Sequence, residues 1–347
     1  MSKHRKVWLV NPFNATQYLQ DSFFEGPLGE FQKVLAKHGI DLHTYDMAPL
    51  KEADRVISFC HYDAFSTLCN DAGVPKEKRV LIAHEPRVVM PAMYTKKIQD
   101  TYAHVFTFED KFVDGEKFFK FRYPQGQNYK SPLRPFRMRK FITLINANKY
   151  SYIEKELYSK RREAIRYFER HEPGFDLYGY GWDGKGGLIS SGQAVAAIRE
   201  NRLASYLKNL WDTRRPYISN RGSVSNKYDV LEQYAFALCF ENELDTTGYI
   251  TEKICGSYSR RTAPIYLGPD NYKEELPEGS YIDMRQFSSF AALHEFLKGV
   301  TEAEWTAMVK KGQHYIQSDD FKKKWTPEGV YTSLAEQLIA LPHAQDS

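Results

Sequence analysis

The sequence predicts two α/β domains of similar size that face a cleft, each a doubly wound parallel sheet with helices on both faces. Short apolar runs alternate with segments of helical spacing, which is typical of such sheets. The length of 347 residues fits two domains, and 42% hydrophobic residues suffice for sizeable cores. The aperiodic, proline-containing stretch 123–139 predicts the boundary, so we expect domains at residues 1–130 and 131–347.

The predicted strands are the continuous apolar runs. They lie at Val7–Val10, Arg55–Phe59, Arg79–Ala83 and Val105–Phe108 in the first domain, and at Phe141–Ile145, Phe175–Tyr178, Tyr234–Phe240 and Ala263–Leu267 in the second. Helical spacing predicts helices at Leu28–His38, Glu154–Phe168, Ala194–Asn209 and Glu252–Tyr258. Near the C-terminus, Thr301 and Glu304 have the spacing of a capping box, and Pro327 can open a last helix that ends near Ala340. We expect these terminal helices in the second domain.

Composition argues against several classes of protein. A net charge of +4 is too small to indicate a nucleic-acid-binding protein. The four cysteines have no CxxC spacing, which favours a reduced chain over a disulfide framework. There is no apolar signal segment and no run of about 20 apolar residues. We therefore expect a soluble, cytoplasmic protein with at most peripheral membrane contact.

Residues 236–253 are the most informative segment. A fully apolar strand ends at Glu241 and Asn242, a polar loop with a glycine follows, and a helix then begins near Thr251. Ligands of parallel sheets bind beyond the carboxyl ends of strands, and a helix N-terminus favours anionic oxygens. Thr251 can cap the helix, Lys253 can neutralise a phosphate, and Glu252 should face ribose or sugar hydroxyls. This arrangement suits a ligand with a diphosphate, although an ordinary strand–loop–helix with an acid at the helix N-terminus has equal weight on spacing alone.

A second basic element is the pair Arg161 and Arg162, which precedes an apolar helix face. A planar guanidinium suits bidentate binding of phosphate. The alternative is a solvated helix face, which is the commoner place for two adjacent arginines.

The segment His84-Glu85-Pro86-Arg87 directly follows a predicted strand. Proline favours an extended exit from the strand, so the Glu85 carboxylate should point into the cleft as a candidate general base. His84 is a rival base because imidazole titrates near neutral pH. Alternatively, Glu85 is a loop carboxylate paired with Arg87 or Lys78.

The central block resembles the signature of the alpha-1,3-fucosyltransferases, which reads Phe-x-Leu-x-Phe-Glu-Asn, a variable loop, and Tyr-x-Thr-Glu-Lys. In this chain the matching residues are Phe236, Leu238, Phe240, Glu241, Asn242, Tyr249, Thr251, Glu252 and Lys253. The resemblance covers about residues 232–288 and continues through Pro264, Leu267–Gly268, Asn271–Tyr272, Ser280–Asp283 and Phe287. Glu243 departs from the pattern, since a small residue is usual there.

The resemblance implies two Rossmann-like domains of the GT-B type and an inverting transfer of L-fucose from GDP-fucose. The acceptor would be a hydroxyl, O3 of N-acetylglucosamine or glucose, on an oligosaccharide or glycolipid such as lipopolysaccharide. It also implies that Glu85 is the base and that an arginine at 161 or 162 contacts the diphosphate. Four further residues would surround the nucleotide: Asn242, Tyr249, Glu252 and Lys253.

No Asp-x-Asp triplet stands at a predicted strand end, so no metal cofactor is expected to be required, and a divalent cation would at most stimulate the reaction. Two alternatives are a GT-B transferase that uses another nucleotide sugar and a non-catalytic nucleotide- or glycan-binding module. The presence of Glu85 in one half and of Glu252 and Lys253 in the other argues against the binding module.

Overall fold

The computed structural model describes residues 6–11, 19–25, 28–126, 134–184, 198, 202–204, 207, 211, 216–244 and 246–342. The chain divides into two compact units. Unit 1 comprises Met1–Gln125, Thr246–Tyr249 and Asp319–Ser347, and unit 2 comprises Gly126–Asp245 and Ile250–Ser318. The break after Gln125 falls inside the stretch 123–139, but the C-terminal segment belongs to unit 1 and not to the second domain where we expected it.

Unit 1 contains a parallel sheet in the order β2-β1-β3-β4-β5-β6. Its strands are β1 (Lys6–Asn11), β2 (Ile40–Thr44), β3 (Arg55–Phe59), β4 (Arg79–Ile82), β5 (His104–Thr107) and β6 (Phe118–Lys120). The four strands predicted for this half are confirmed within one residue at either end. The edge strands β2 and β6 were not predicted.

Unit 2 contains a parallel sheet in the order β11-β10-β9-β7-β8. Its strands are β7 (Lys140–Ile145), β8 (Phe175–Tyr178), β9 (Tyr234–Phe240), β10 (Ala263–Leu267) and β11 (Ile282–Asp283). All four strands predicted for this half are confirmed. The central strand β9 is buried at every position, as expected for a strand covered on both faces.

The α-helices of the described residues, in chain order, are α1 (Gly29–Lys37), α2 (Asp63–Asp71), α3 (Lys96–Gln99), α4 (Tyr158–His171), α5 (Lys227–Leu231), α6 (Glu252–Ser259), α7 (Tyr272–Glu275), α8 (Phe290–Gly299), α9 (Glu302–Gln317), α10 (Asp319–Trp325) and α11 (Pro327–Ala340). The capping box of Thr301 and Glu304 is present at the start of α9, and Pro327 opens α11. The helix predicted at Ala194–Asn209 lies mostly outside the described residues.

The last helix joins the core of unit 1 because its apolar face covers α1. Tyr331 and Leu334 are buried in the same cluster as Phe31, and the ring centroids of Phe31 and Tyr331 are 5.3 Å apart. Residues three and four apart lie on one face of a helix, so Leu338 extends the same surface. This packing places α11 with the first sheet.

The carboxyl ends of β7 and β8 approach each other closely at Gly179. This residue has φ 131°, and a Cβ there would lie 2.0 Å from the backbone oxygen of Asn146. The indole Nε1 of Trp182 donates to that same oxygen at 2.5 Å. Only glycine fits this position, so the Tyr-Gly sequence after β8 is a packing requirement.

The described residues contain neither a membrane-spanning helix nor a metal-binding cluster. No helix in this part of the chain is long and apolar enough to cross a bilayer. No group of three His, Cys, Asp or Glu side chains in the same residues is placed to hold a metal ion. All four cysteines are buried thiols.

Candidate functional site

A buried carboxylate lies at the carboxyl end of the central strand of unit 2. Glu241 directly follows β9 and has no exposed surface. Its side chain accepts hydrogen bonds from the backbone N–H of Thr251 at 2.8 Å, the Thr251 hydroxyl at 2.7 Å, Lys253 Nζ at 3.1 Å and the Tyr266 hydroxyl at 3.3 Å. Sequence analysis placed Glu241 in the signature but gave it no role. An acid that directly follows a continuously apolar strand was the available signal.

The prediction that Thr251 caps α6 is wrong. Although it occupies the N-cap position, its side chain makes no capping hydrogen bond within the described residues. The hydroxyl instead donates to Glu241 at 2.7 Å and accepts from Lys253 Nζ at 2.8 Å. The N–H groups of the first turn of α6 are therefore not used by the N-cap side chain.

Lys253 lies in the first turn of α6 with 14% of its side chain exposed. Its ammonium group is fixed by Glu241 and Thr251 at the helix end where the dipole favours anions. Lys253 is thus a partly exposed cation at the helix N-terminus, held by Glu241 and Thr251.

Glu252 faces a different cation. Its Oε1 atom is 3.6 Å from Lys227 Nζ, and 37% of its side chain is exposed. Desolvation raises the pKa of Glu252, but the charges of Lys253 and Lys227, together with a hydrogen bond from its own backbone N–H, outweigh it and lower the pKa to about 2. Glu252 is therefore an ionised, accessible hydrogen-bond acceptor in the first turn of α6.

Arg161 and Arg162 are both buried, with 2% and 4% exposed, so a solvated helix face is wrong for this pair. Arg161 Nη2 donates to the backbone oxygens of Phe240 and Glu241, each at 2.6 Å, and to Asn242 Oδ1 at 3.0 Å. The structure therefore brings Arg161 and Asn242 together with Glu241 at the end of β9.

Arg162 has a different neighbourhood. Its Nη1 atom donates to the backbone oxygen of Lys149 at 2.8 Å, in the segment that follows β7. The two adjacent arginines of α4 therefore hold the segments after two different strands, β9 and β7.

Tyr249 packs within unit 1. It is 3% exposed and belongs to the cluster that contains Phe108, with ring centroids 5.3 Å apart. The preceding residue Gly248 has φ 81°, and a Cβ there would lie 2.2 Å from Lys120 Nζ and 2.6 Å from the Phe108 oxygen. The short segment Thr246–Tyr249 is thus anchored in unit 1, whereas Asn242, Thr251, Glu252 and Lys253 belong to unit 2.

The second predicted element lies at the carboxyl end of β4 in unit 1. The His84 ring packs among four aromatic rings at centroid distances of 4.6–6.5 Å: Phe59, Phe108, Phe121 and Tyr123. Glu85 is half-buried, and its backbone oxygen accepts from the Tyr94 hydroxyl at 2.9 Å. His84 and Glu85 are therefore both half-buried, and the His84 ring packs among aromatic side chains.

The cations that could have paired with Glu85 have other partners. Arg87 Nη2 is 3.0 Å from Oε2 of the buried Glu109. Lys78 Nζ donates to the backbone oxygens of Lys51 and Ala53 at 3.2 and 2.8 Å. Both cations that the sequence offered as partners of Glu85 therefore make other contacts.

Sequence analysis missed Cys60, which follows β3 beside this element. It has φ 61°, a left-handed conformation that is uncommon for a residue with a Cβ. Burial raises the pKa of its thiol to about 12, and the charge of Glu85 adds to the effect. Strained residues of this kind concentrate at functional sites, but no spacing or motif marks Cys60 in the sequence.

Comparison with known proteins gives one family match. Residues 201–326 match the description "Glycosyltransferase family 10 (fucosyltransferase) C-term". Among curated proteins, the chain is 37% identical over 76 residues to the alpha-(1,3)-fucosyltransferase FucT of Helicobacter pylori, which covers 22% of this chain and 16% of the relative. It is 36% identical over 131 residues to glycoprotein 3-alpha-L-fucosyltransferase A of Drosophila melanogaster, which covers 37% and 24%. The chain thus spans about a quarter or less of the length of these relatives.

The fold comparison covers far more of the chain. A crystal structure of alpha1,3-fucosyltransferase with GDP superposes with a TM-score of 0.58 at 14% identity, over 99% of this chain and 93% of that one. At this identity the similarity is one of fold. Both the predicted resemblance, in the C-terminal part of the chain, and the predicted GT-B type of fold are therefore confirmed.

Proposed function

We propose that this chain, whose residues 201–326 match glycosyltransferase family 10, is an inverting fucosyltransferase that transfers L-fucose from GDP-fucose to a sugar hydroxyl. The observation that carries the proposal is the cluster at the end of β9. There Lys253 stands at the N-terminus of α6, where, among the described residues, the N-cap side chain makes no hydrogen bond to the first-turn N–H groups. That combination of a fixed cation and backbone donors suits a diphosphate.

The donor-side chemistry follows from the charges. As the bond between fucose C1 and the diphosphate oxygen breaks, negative charge grows on the leaving GDP. The ammonium of Lys253 and the N-terminus of α6 stabilise that charge, and each preorganised group of this kind is worth about 3 kcal/mol. We propose that Arg161 or Arg162, both in the first two turns of α4, contacts the diphosphate.

The neutral part of the donor needs hydrogen-bonding groups. Asn242 is half-buried, and its orientation is set by Arg161, which donates to its amide oxygen at 3.0 Å. Glu252 is ionised and partly exposed, so it can accept from ribose or fucose hydroxyls. Tyr249 remains a predicted donor contact, and its position in the core of unit 1 makes stability its first role.

The acceptor-side step needs a base. In the proposed reaction the acceptor hydroxyl attacks C1 of fucose, its proton passes to Glu85, and GDP leaves from the opposite face. Glu85 is preferred to His84 because the imidazole packs among four aromatic rings. An acceptor hydroxyl at O3 of N-acetylglucosamine or glucose, in an oligosaccharide or glycolipid such as lipopolysaccharide, remains a prediction, as does a cytoplasmic location.

The test is a transfer assay with purified protein. GDP-fucose would be supplied with an array of glycans that end in galactose, glucose or N-acetylglucosamine, and the linkage of any product would be determined. We expect fucosylated product in an alpha-1,3 linkage. GDP-mannose and UDP-glucose, as parallel donors, test the alternative nucleotide sugars. Transfer from one of these without transfer from GDP-fucose would overturn the donor assignment.

A further inference from the structure

We propose that Glu241 is a positioning residue for the nucleotide-sugar donor, acting through Lys253 and Thr251 without touching the donor. The inference rests on the proposed function and adds a residue to the donor site. Glu241 has no exposed surface, so a ligand cannot reach its carboxylate. Any effect of Glu241 on donor binding must therefore pass through the groups that it holds.

The first of these groups is the Lys253 ammonium. A buried carboxylate requires a paired cation, and Lys253 Nζ supplies it at 3.1 Å. The same Nζ donates to the Thr251 hydroxyl at 2.8 Å, so two acceptors on one side fix its position. A long lysine side chain loses rotamer freedom when a ligand fixes it. Here Glu241 fixes it before the donor binds, which lowers the cost of binding.

The second group is the Thr251 hydroxyl. A threonine at the N-cap normally accepts a hydrogen bond from an N–H group of the first turn. Glu241 accepts the hydroxyl proton of Thr251 at 2.7 Å and its backbone N–H at 2.8 Å. One lone pair of the hydroxyl accepts from Lys253, and within the described residues the hydroxyl makes no capping bond to α6. The carboxylate therefore keeps the Thr251 side chain from capping the helix N-terminus.

The carboxylate is itself held on both sides. The backbone N–H of Glu241 donates to the backbone oxygen of Leu267 at 2.7 Å, and Arg161 donates to the backbone oxygen of Glu241 at 2.6 Å. Strand β10 and helix α4 thus fix the backbone that carries it. Only an ionised carboxylate offers enough acceptor sites for all four donors, because an amide replaces one oxygen with an NH₂ donor.

The experiment is a double-mutant cycle on GDP binding, measured by calorimetry with the full chain. We compare Glu241→Gln, Lys253→Met and the double variant with the parent. Each single variant should weaken GDP binding by about tenfold to a hundredfold, since each disturbs a charge-assisted contact. The double variant should lose less than the product of the two single losses, because the ammonium route is then absent and only Thr251 still links Glu241 to the donor site.

The matched control is Tyr266→Phe. It removes one of the four hydrogen bonds to Glu241, at 3.3 Å, and none of those made by Lys253. We expect GDP affinity to stay within about threefold of the parent. A loss as large as that of Glu241→Gln would mean that Glu241 acts through general packing, and would overturn the inference.

The remaining outcomes separate the inference from the proposed function. Losses that add fully in the double variant, or a Glu241→Gln variant that binds GDP like the parent, overturn the positioning role while the donor site stands. If Lys253→Met binds GDP like the parent, the donor site falls and the inference falls with it. Should Glu241→Gln fail to fold, Glu241→Asp keeps the charge on a shorter side chain and enters the same cycle with the same expected non-additivity.

Discussion

Replacing Arg161 with methionine should loosen the end of strand β9 far more than the same change at Arg162. The Nη2 atom of Arg161 serves three acceptors at 2.6, 2.6 and 3.0 Å: the backbone oxygens of Phe240 and Glu241, and Asn242 Oδ1. Methionine preserves most of the length of the side chain but donates no hydrogen bond. The change therefore removes the donor and keeps much of the packing.

The magnitude follows from which acceptors lose their donor. Phe240 and Glu241 have no exposed surface, and a buried acceptor left without a donor costs about 1–3 kcal/mol. Two such carbonyls give a loss of about 2–6 kcal/mol in the stability of unit 2. Arg162 serves the oxygen of the half-buried Lys149, which water can reach, so we expect a loss of about 1 kcal/mol or less there.

Hydrogen exchange followed by mass spectrometry measures this locally, since it reports the opening free energy of the β9 amides. We expect fast exchange in peptides that span 234–244 of Arg161→Met, and near-parental exchange in Arg162→Met. Equal protection in the two variants would refute the assignment of Arg161 as the residue that holds the end of β9. A loss of GDP affinity in Arg162→Met, which leaves the Arg161 contacts in place, would assign the diphosphate contact to Arg162.

Three further outcomes are expected. Glu85→Gln should lower kcat by about 10²–10⁴-fold, while its GDP affinity stays within about twofold of the parent. The control is Glu77→Gln, which changes an exposed acid just before β4 and should leave both kcat and GDP affinity unchanged. Turnover at the parental rate by Glu85→Gln would exclude Glu85 as the base. In a denaturation assay, Tyr249→Ala should lower the free energy of unfolding by about 3–5 kcal/mol, and Tyr249→Phe should lower it by less than about 1 kcal/mol. Equal losses in the two variants would contradict the role of the Tyr249 ring in the core. Because the pKa of Glu252 is about 2 in the folded chain against an ordinary 4.5, its ionised form stabilises the fold above about pH 4.5 and that stabilisation is lost toward pH 2. When the unfolding temperature is plotted against pH, the curves of Glu252→Gln and Lys227→Met should therefore fall less steeply below about pH 4.5 than the curve of the parent. Curves parallel to that of the parent would contradict this.

The sheets were predictable wherever strands are buried on both faces. Strands β8, β9 and β10 have the predicted bounds because continuous apolar runs leave little choice of boundary. Strand β2 was missed because its residues alternate between buried and half-buried positions and include Asp41 and His43. Strand β6 has only three residues, all half-buried, so no periodicity could reveal it.

The C-terminal helix shows a different limit. Its spacing predicted the helix from Pro327 to Ala340, but periodicity does not say which sheet an apolar face will cover. That choice depends on contacts between residues about 300 positions apart, such as Phe31 and Tyr331. Periodicity within a short segment of the sequence does not report contacts between residues so far apart in the chain.

The candidate site was predictable in its location and not in its hydrogen bonds. Strand–loop–helix order placed Asn242 and Lys253 beyond the carboxyl end of a strand, and both lie beyond the carboxyl end of β9 in unit 2. The diversion of the Thr251 hydroxyl was not predictable, because the N-cap rule considers the next three residues and the competing carboxylate stands ten residues earlier. Similarly, the signature does not say that Tyr249 is anchored on Phe108.

The chain passes between its two units four times, after Gln125, at both ends of Thr246–Tyr249, and before Asp319. No single cut can therefore release either half intact. A fragment that stops at Gln125 lacks the helix that covers Phe31, and a fragment from Gly126 onward carries that helix without its partner strands. Dissecting this protein would require a circularly permuted gene that rejoins the C-terminal helices to the N-terminal half, together with a new linker in place of residues 246–249.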